Sequence, residues 1–163
     1  MQKRREIFRW LKQYHNGKNS LVFLQETHPT KLDEKIWEKE WGSKIFYSHG
    51  TSNSRGVAIL LPEKYNFEIL HYEEDSLGRK NVLCLNYENE QLCLTNVYFP
   101  TQDYANEQHD FLNLLIHNIS QHQDKAIIIG GDFNTYLTRL DCQSDNWKPS
   151  KTGEKNTFSN GRI

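Results

Sequence analysis

Cysteine, proline and long apolar runs are all scarce in this chain. The sequence has three cysteines and four prolines. Because three is an odd number and no Cys-x-x-Cys pair occurs, a disulfide scaffold and a zinc knuckle are both disfavoured. The longest apolar runs, near residues 56–61 and 126–129, are far shorter than the roughly 20 residues that span a bilayer. The amino terminus lacks the apolar core of a signal peptide, so we expect an intracellular protein, nuclear or cytoplasmic, with no membrane partner.

Repeats and linkers are also absent. No internal repeat, low-complexity tract or Gly/Ser/Pro-rich linker divides the 163 residues, so the sequence predicts one domain over residues 1–163. Hydrophobic residues make up 36% of the chain, which also has eight Phe, eight Tyr and four Trp. This apolar content is sufficient for a packed core and excludes wholesale disorder.

The chain has no overall basic excess of the kind that many nucleic-acid-binding domains carry. Its net charge is −1, but residues 1–18 carry a net +5 and residues 19–138 a net −8. A basic start of this kind indicates either the solvated face of an amphipathic helix, which we favour, or a phosphate-binding patch. Charge alone therefore selects no function.

Two amphipathic helices are predicted from apolar residues at helical spacing, over residues 4–14 and 106–121. The apolar face of the first is expected to comprise Ile7, Trp10, Leu11 and Tyr14. The apolar face of the second is expected to comprise Phe111, Leu114, Leu115 and Ile119. A short helix is also expected around Leu32, Ile36 and Trp37.

Short apolar runs predict several strands between these helices. Residues 21–24 and 126–129 resemble buried strands, and residues 44–47, 57–61 and 67–72 are further candidates. Two runs, 82–86 and 92–97, flank Glu88-Asn89 and predict a hairpin in which Cys84 faces Cys93. Beyond Thr135 the pattern predicts no regular element. Together these elements indicate a layered α/β or α+β domain.

Two of the apolar strands end in acidic residues. Residues 21–24 lead into Gln25-Glu26, and residues 126–129 lead into Gly-Gly and then Asp132 and Asn134. Carboxylates brought together at strand ends suit a hard cation such as Mg²⁺, which orients phosphate and activates water. Alone, either segment is explained as a solvated strand end or an Asx turn. Together they predict that the Glu26 and Asp132 carboxylates lie within about 10 Å of each other, near Asn134 and Tyr98.

Four segments in order carry a resemblance to a known family. They are Leu-Gln-Glu-Thr-His (24–28), Ser-Arg-Gly-Val-Ala-Ile-Leu (54–60), Asn-Val-Tyr-Phe-Pro (96–100) and Gly-Gly-Asp-Phe-Asn-Thr (130–135). This set resembles the endonuclease/exonuclease/phosphatase superfamily, most closely the apurinic-type endonuclease domain of non-LTR retrotransposons. The resemblance implies a four-layer α/β sandwich of two packed sheets flanked by helices. It also implies Mg²⁺- or Mn²⁺-dependent phosphodiester cleavage, DNA as substrate and a parent protein fused to a reverse transcriptase.

The resemblance also implies residue roles. Glu26 is the metal ligand, Asp132 orients and activates the attacking water, and Asn134 holds the phosphate in the transition state. Tyr98 contacts the phosphate beside the cleaved bond. His28 is a candidate for DNA contact, although we favour its interpretation as an ordinary surface-loop histidine.

Two elements of the resembling family do not occur in this sequence. The family opens with a strand ending in an Asn-x-Asn-Gly-type motif, and it closes with Ser-Asp-His, whose histidine is essential to the chemistry. None of the seven histidines lies in such a motif. We therefore expect a partial domain that lacks the first strand and the C-terminal third, with residues 139–163 as a poorly ordered tail and impaired activity.

Two alternatives remain open. One is another branch of the superfamily, such as a phosphatase that acts on lipid or nucleotide phosphates. The other is a non-catalytic remnant that binds nucleic acid weakly at most. The Gln25–His28 and Gly-Asp-Phe-Asn-Thr segments favour the retrotransposon branch over the phosphatase.

Overall fold

The computed structural model describes residues 2–14, 20–51, 53–63, 66–101 and 104–135. The predicted tail, residues 139–163, lies outside these ranges. The described helices and strands are, in order, α1 (Gln2–Tyr14), β1 (Val22–Gln25), α2 (Glu34–Trp41), β2 (Ile45–Ser48), β3 (Val57–Leu60), β4 (Glu68–Glu74), β5 (Lys80–Tyr87), β6 (Glu90–Tyr98), α3 (Ala105–Ser120) and β7 (Ala126–Asp132). Each element predicted before Thr135 is present, with shifted bounds.

The strands form two sheets. The first sheet has the order β1-β3-β2, and the second has the order β4-β5-β6-β7. All neighbours are antiparallel except β6 and β7, which are parallel and are connected through α3. Helices α1 and α2 pack on the outer face of the first sheet and α3 on that of the second. This arrangement confirms the expected α/β (α+β) class of two packed sheets flanked by helices.

The main core lies between the two sheets. Its most buried members are Ile59 and Leu61 from the first sheet and Leu83, Leu85 and Leu94 from the second. Because successive residues of a strand point to opposite faces, the alternate residues of β5 and β6 point outward, toward α3. The second sheet therefore has an inner face against the first sheet and an outer face under α3.

The β5–β6 hairpin has the predicted register. Glu88 and Asn89 both have positive φ, 50° and 69°, as a type I′ turn requires. Cys84 pairs with Cys93 across the ladder. The turn chemistry thus determined which residues of the two strands face each other.

The predicted apolar face of α1 is wrong in part. Phe8 is the buried residue of this helix, whereas Ile7 and Trp10 are about half exposed, at 47% and 51%. The face toward α2 instead includes Arg4 and Lys12, which lie over the rings of Trp37 and Trp41 respectively. Arg4 also forms a bidentate ion pair with Glu40. Part of the basic start therefore contacts α2 through aliphatic stems and ion pairs, rather than forming only a solvated face.

Strand β7 is also less buried than predicted. Ile128 is 45% exposed and Ile129 is 40% exposed, because β7 lies at the edge of the second sheet in the described part of the chain. Leu114, which was expected on the buried face of α3, is half exposed, whereas Leu115 is buried.

None of the described helices combines the length and the apolar character needed to cross a membrane.

Candidate active site

Three strands from both sheets end at the candidate site. Tyr98 ends β6 and Asp132 ends β7, and the two residues are direct partners in the parallel ladder. They therefore point to the same face of the second sheet, the inner one. Glu26 follows β1 of the first sheet, and its side chain contacts Tyr98. The structure thus brings the two acidic strand ends of the sequence to one tyrosine.

The contact between Tyr98 and Glu26 is short. The Tyr98 hydroxyl donates a hydrogen bond of 2.5 Å to Glu26 Oε1. This hydrogen bond, with burial and the charges of Glu26 and Asp132, raises the pKa of Tyr98 above its usual value. Tyr98 is therefore a neutral O–H donor throughout the physiological pH range.

Asp132 and Asn134 form a compact turn. Asp132 Oδ1 accepts a 2.9 Å hydrogen bond from the Asn134 N–H, the pattern of an Asx turn. The Asn134 side chain donates to the carbonyl of Phe99 at 2.8 Å. Gln108 of α3 donates to the Asn134 carbonyl at 3.1 Å and to the Pro100 carbonyl at 2.6 Å. The local turn proposed from the sequence is present, and it holds both side chains beside Tyr98.

Two glycines allow β7 to reach this position. A Cβ on Gly130 would lie 2.6 Å from the Phe23 ring. A Cβ on Gly131, at φ +145°, would lie 2.0 Å from the Val97 carbonyl oxygen. Only residues without side chains fit there, so the Gly-Gly pair lets Asp132 approach the strand that carries Tyr98.

A buried amide, Asn96, anchors the end of β1. Asn96 is fully buried on the inner face of β6 and donates to the carbonyls of Leu24 and Ala58 at 3.0 Å each. It also accepts a 2.7 Å hydrogen bond from Gln25, the residue before Glu26. Sequence reasoning assigned no role to Asn96. The available signal was a polar residue that follows Leu92 and Leu94 on the same, inward face of the strand.

Glu26 has an unusual backbone conformation. Its φ is +53°, in the left-handed region that glutamate rarely adopts. The following N–H, of Thr27, donates to the Gly56 carbonyl at 3.1 Å and ties this loop to the start of β3. The buried hydroxyl of Thr27 has no hydrogen-bond partner among the described residues. Strain of this kind is typical of segments that position a functional group.

The histidines near the site have different surroundings. His28 is exposed and lies at φ +51° directly after the Glu26 loop. His49 is largely buried, and its two ring nitrogens contact the Pro29 carbonyl at 2.9 Å and Glu34 Oε1 at 2.7 Å. His49 therefore supports the loop that carries His28, and its ring nitrogens are engaged in that contact.

A pair of arginines near Tyr98 was missed by sequence reasoning. The Arg79 carbonyl accepts a 2.7 Å hydrogen bond from the Tyr98 N–H. Burial, followed by the charge of Arg55, lowers the pKa of the Arg79 guanidinium, while the Tyr98 phenol and Glu107 raise it. The Arg79 guanidinium is therefore close enough to Arg55, Glu107 and Tyr98 to interact with them electrostatically. The sequence carried no signal for this, because residues 55, 79 and 98 belong to separate elements.

The donor set of the site suits a hard cation. Glu26, Asp132 and Asn134 offer oxygen ligands, and both carboxylates are solvent-exposed. Tyr98 engages Glu26 Oε1 and the Asn134 N–H engages Asp132 Oδ1, which leaves the second oxygen of each carboxylate for other ligands. Mg²⁺ binds through one or two carboxylates and retains several waters, so an exposed acidic pair fits it.

Comparison with known proteins finds one sequence relative and several solved structures of similar fold. The chain is 34% identical over 135 residues to the transposon TX1 149 kDa protein of Xenopus laevis, covering 83% of this chain and 10% of that protein. The structure of D. rerio TDP2 complexed with a single-strand DNA product matches with a TM-score of 0.61 at 18% identity, covering 82% of this chain and 54% of the other. ANGEL2, a 2',3'-cyclic phosphatase solved with adenosine-2',3'-vanadate, matches with a TM-score of 0.61 at 20% identity, covering 80% and 43%. The chain therefore spans a tenth of its transposon relative and about half of the solved structures.

The family assignment rests on the sequence match and agrees with the fold. The model of the Endonuclease/Exonuclease/phosphatase family matches residues 1–159. The solved structures share the two-sheet architecture described above. The members of this family are hydrolases that include nucleases and phosphatases, and they generally use divalent metal ions. This chain belongs to the Endonuclease/Exonuclease/phosphatase family.

Proposed function

We propose that this chain is the phosphodiester-cleaving part of a DNA endonuclease from a non-LTR retrotransposon-like protein and that it uses Mg²⁺ or Mn²⁺. The observation that carries the proposal is that Glu26, from the first sheet, accepts a hydrogen bond from the Tyr98 hydroxyl, while Asp132 is the ladder partner of Tyr98 in the second sheet. A carboxylate pair at the exposed ends of rigid strands is suited to metal-assisted phosphate chemistry.

Glu26 would hold the cation through the oxygen that Tyr98 leaves unengaged. A bound divalent ion would lower the pKa of a water molecule and stabilise charge on the leaving oxygen. Asp132 would accept a proton from the attacking water through its second oxygen, because its first is occupied by the Asn134 N–H. The exposed position of Asp132 makes its carboxylate accessible to water.

The remaining groups would position the phosphate. Tyr98, whose raised pKa keeps it protonated, would be an O–H donor for a phosphate oxygen of the substrate. The Asn134 amide would hold a second phosphate oxygen in the transition state. Arg79 and Arg55 supply positive charge on the same side and favour a polyanionic substrate.

The similar proteins support DNA as the proposed substrate of this chain. The Xenopus laevis relative is a transposon protein, and TDP2 has been solved with a single-strand DNA product. We propose that the parent protein joins this domain to a reverse transcriptase, as the resemblance to non-LTR retrotransposons implies. The ANGEL2 match favours the second candidate, a phosphatase-branch activity on nucleotide phosphates.

The 163 residues contain no Ser-Asp-His segment, so the chain as given lacks one catalytic group of the proposed mechanism. General acid–base or electrostatic help from one such group is typically worth about 10²–10⁴-fold in rate. We therefore expect negligible nicking by these residues alone. Nicking should appear when the segment that follows the matched region in the Xenopus laevis relative is fused to the C-terminal end of these 163 residues.

Supercoiled plasmid provides the test. The continued chain should convert it to the open-circular form with Mg²⁺ or Mn²⁺, and Asp132→Ala should reduce the rate by at least about 10²-fold. Asp110→Ala is the matched control, because Asp110 is an exposed carboxylate on α3. Hydrolysis of nucleotide monophosphates without nicking would support the phosphatase candidate. Nicking by the 163 residues alone that Asp132→Ala abolishes would overturn the expected impairment and assign the missing role to one of His28, His49 and His109.

A further inference from the structure

A second cluster of reactive side chains lies on the outer face of the second sheet. His71, Cys84 and Cys93 are neighbours across β4, β5 and β6 in the strand register. Cys93 and Tyr98 are an odd number of residues apart on β6, so they point to opposite faces of the sheet. The cluster is therefore separated from the candidate active site by the sheet itself.

His122 lies over this row of residues. It follows α3, in the connection to β7, and its Nδ1 is 3.8 Å from the Cys84 Sγ. The ligand atoms of Cys84, Cys93 and His122 all lie within 4.8 Å of one another. The His71 ring is packed against the His122 ring, with centroids 5.9 Å apart. Three residues that commonly bind metal thus converge from two strands and one loop, with His71 packed beside His122.

Neither thiol is engaged in a disulfide. Both cysteines are free and fully buried. They pair at a position of the hairpin where no cross-strand hydrogen bonds form, because these alternate outward from the two-residue turn. Side chains are closest at such positions, and Cys84 and Cys93 therefore present two sulfur ligands to one point.

The spacing fits a tetrahedral site. With Zn–S near 2.3 Å and Zn–N near 2.0 Å, tetrahedral ligand atoms lie about 3.6–3.8 Å apart. The observed 3.8 Å between Cys84 Sγ and His122 Nδ1 already meets this value, and no pair among the three exceeds it by more than about 1 Å. Rotation about side-chain bonds is enough to close a difference of that size.

We propose that Cys84, Cys93 and His122 bind one Zn²⁺ ion as a structural site, with His71 nearest to the fourth position. Thiolate and imidazole ligands select zinc over the hard ions that suit the carboxylates of the active site. Binding displaces one proton from each thiol, and no redox step is involved. The bound ion would fix the loop after α3 to the middle of the sheet. The proposal does not depend on the proposed nuclease function.

The test uses the full chain purified with reduced thiols. Metal analysis after Zn²⁺ addition and desalting should give one equivalent per chain, and the melting temperature should rise. With Co²⁺ as a spectroscopic probe, a thiolate-to-cobalt charge-transfer band and tetrahedral ligand-field bands are expected. Cys84→Ser, Cys93→Ser and His122→Ala should each weaken binding by more than the roughly 10–100-fold that loss of an outer-sphere partner costs.

Matched controls keep the test decisive. His117→Ala, which removes an exposed histidine of α3, should leave binding unchanged. Cys84→Ala and Cys93→Ala replace the thiols with small apolar groups, so that a folded variant without zinc binding can be obtained. Retention of one equivalent of Zn²⁺ in Cys93→Ser would overturn the ligand assignment. Loss of Zn²⁺ on replacing only Cys142, the third cysteine of the sequence, by serine would overturn it too. A spontaneous Cys84–Cys93 disulfide with no zinc uptake by the reduced protein would overturn the site.

Discussion

The two faces of the second sheet differ in the chemistry that they carry. The inner face ends in the ladder partners Tyr98 and Asp132, and Tyr98 contacts Glu26 of the first sheet. The outer face carries Cys84 and Cys93, buried beneath His122. One strand, β6, contributes to both. Because side chains alternate along a strand, β6 places Tyr98 on the face of the candidate active site and Cys93 on the opposite face.

The two sites also differ in their exposure to solvent. Mg²⁺ dehydrates reluctantly and retains several waters, so its carboxylate ligands must be accessible to solvent. A structural zinc site needs no water, and buried thiols serve it well. The fully buried sulfurs and the exposed carboxylates therefore match the two ions that we assign to them.

The largest expected effect is a crossed change in metal binding. Glu26→Gln should weaken Mn²⁺ binding, followed by the paramagnetic resonance of the free ion, by at least about tenfold and leave Zn²⁺ binding unchanged. Cys93→Ser should weaken Zn²⁺ binding and leave Mn²⁺ binding unchanged. Glu90→Gln, at the opposite end of β6 from Tyr98, is the control. If either substitution weakens both metals equally, the two faces do not carry independent sites.

A smaller effect is expected where β6 joins the two sheets. Asn96→Ala should lower the free energy of unfolding by at least about 2 kcal/mol, since each buried group left unpaired costs about 1–3 kcal/mol. Denaturation in urea measures this loss as a lower midpoint. Asn113→Ala, at an exposed position of α3, should change stability by less than about 0.5 kcal/mol. An equal midpoint for both variants would show that Asn96 does not hold the sheets together.

The phenols of the core should make stability fall in alkaline solution. Burial raises the pKa of Tyr47 and of Tyr72 well above 10.0, and the Tyr72 hydroxyl donates to the Tyr47 carbonyl. A folded-state pKa above the unfolded value means that stability is complete below about pH 10 and is lost as the pH rises further. Tyr72→Phe should reduce this loss between about pH 8 and pH 11. Tyr104→Phe, at an exposed position, should leave the loss of stability with rising pH unchanged.

The smallest effect is expected at the helices that cover the first sheet. The hydrogen bond from Arg4, with help from Arg5, holds the pKa of Glu40 below its usual range of about 4.5. Glu40→Gln should cost less than about 1 kcal/mol near neutral pH, because pairs near the surface contribute little. That contribution should disappear as the pH falls below the usual range of the carboxyl. Glu6→Gln, an exposed glutamate of α1, provides the comparison by thermal unfolding.

The errors of sequence reasoning lie where tertiary contacts overrule periodicity. On α1, helical spacing favoured Ile7 and Trp10, yet the face toward α2 is built on Phe8, Arg4 and Lys12. The aliphatic stems of Arg4 and Lys12 cover tryptophan rings, a contact that a hydrophobic pattern does not record. Likewise, the absence of a Cys-x-x-Cys pair excluded a zinc knuckle but not a cluster assembled across strands.

The sequence by itself determined the local features of this protein. Hydrophobic periodicity located the helices and strands, Glu88-Asn89 determined the hairpin register, and the acidic residues after two apolar strands indicated where chemistry would gather. These signals are local because a turn or a strand face depends on a few neighbouring residues. Only the tertiary structure decided that the Tyr98 hydroxyl bonds directly to Glu26, that Arg79 lies near Tyr98 and that His122 covers Cys84. Those contacts join residues that are far apart in the sequence, and they depend on how two sheets and a helix pack. No local pattern specifies that packing.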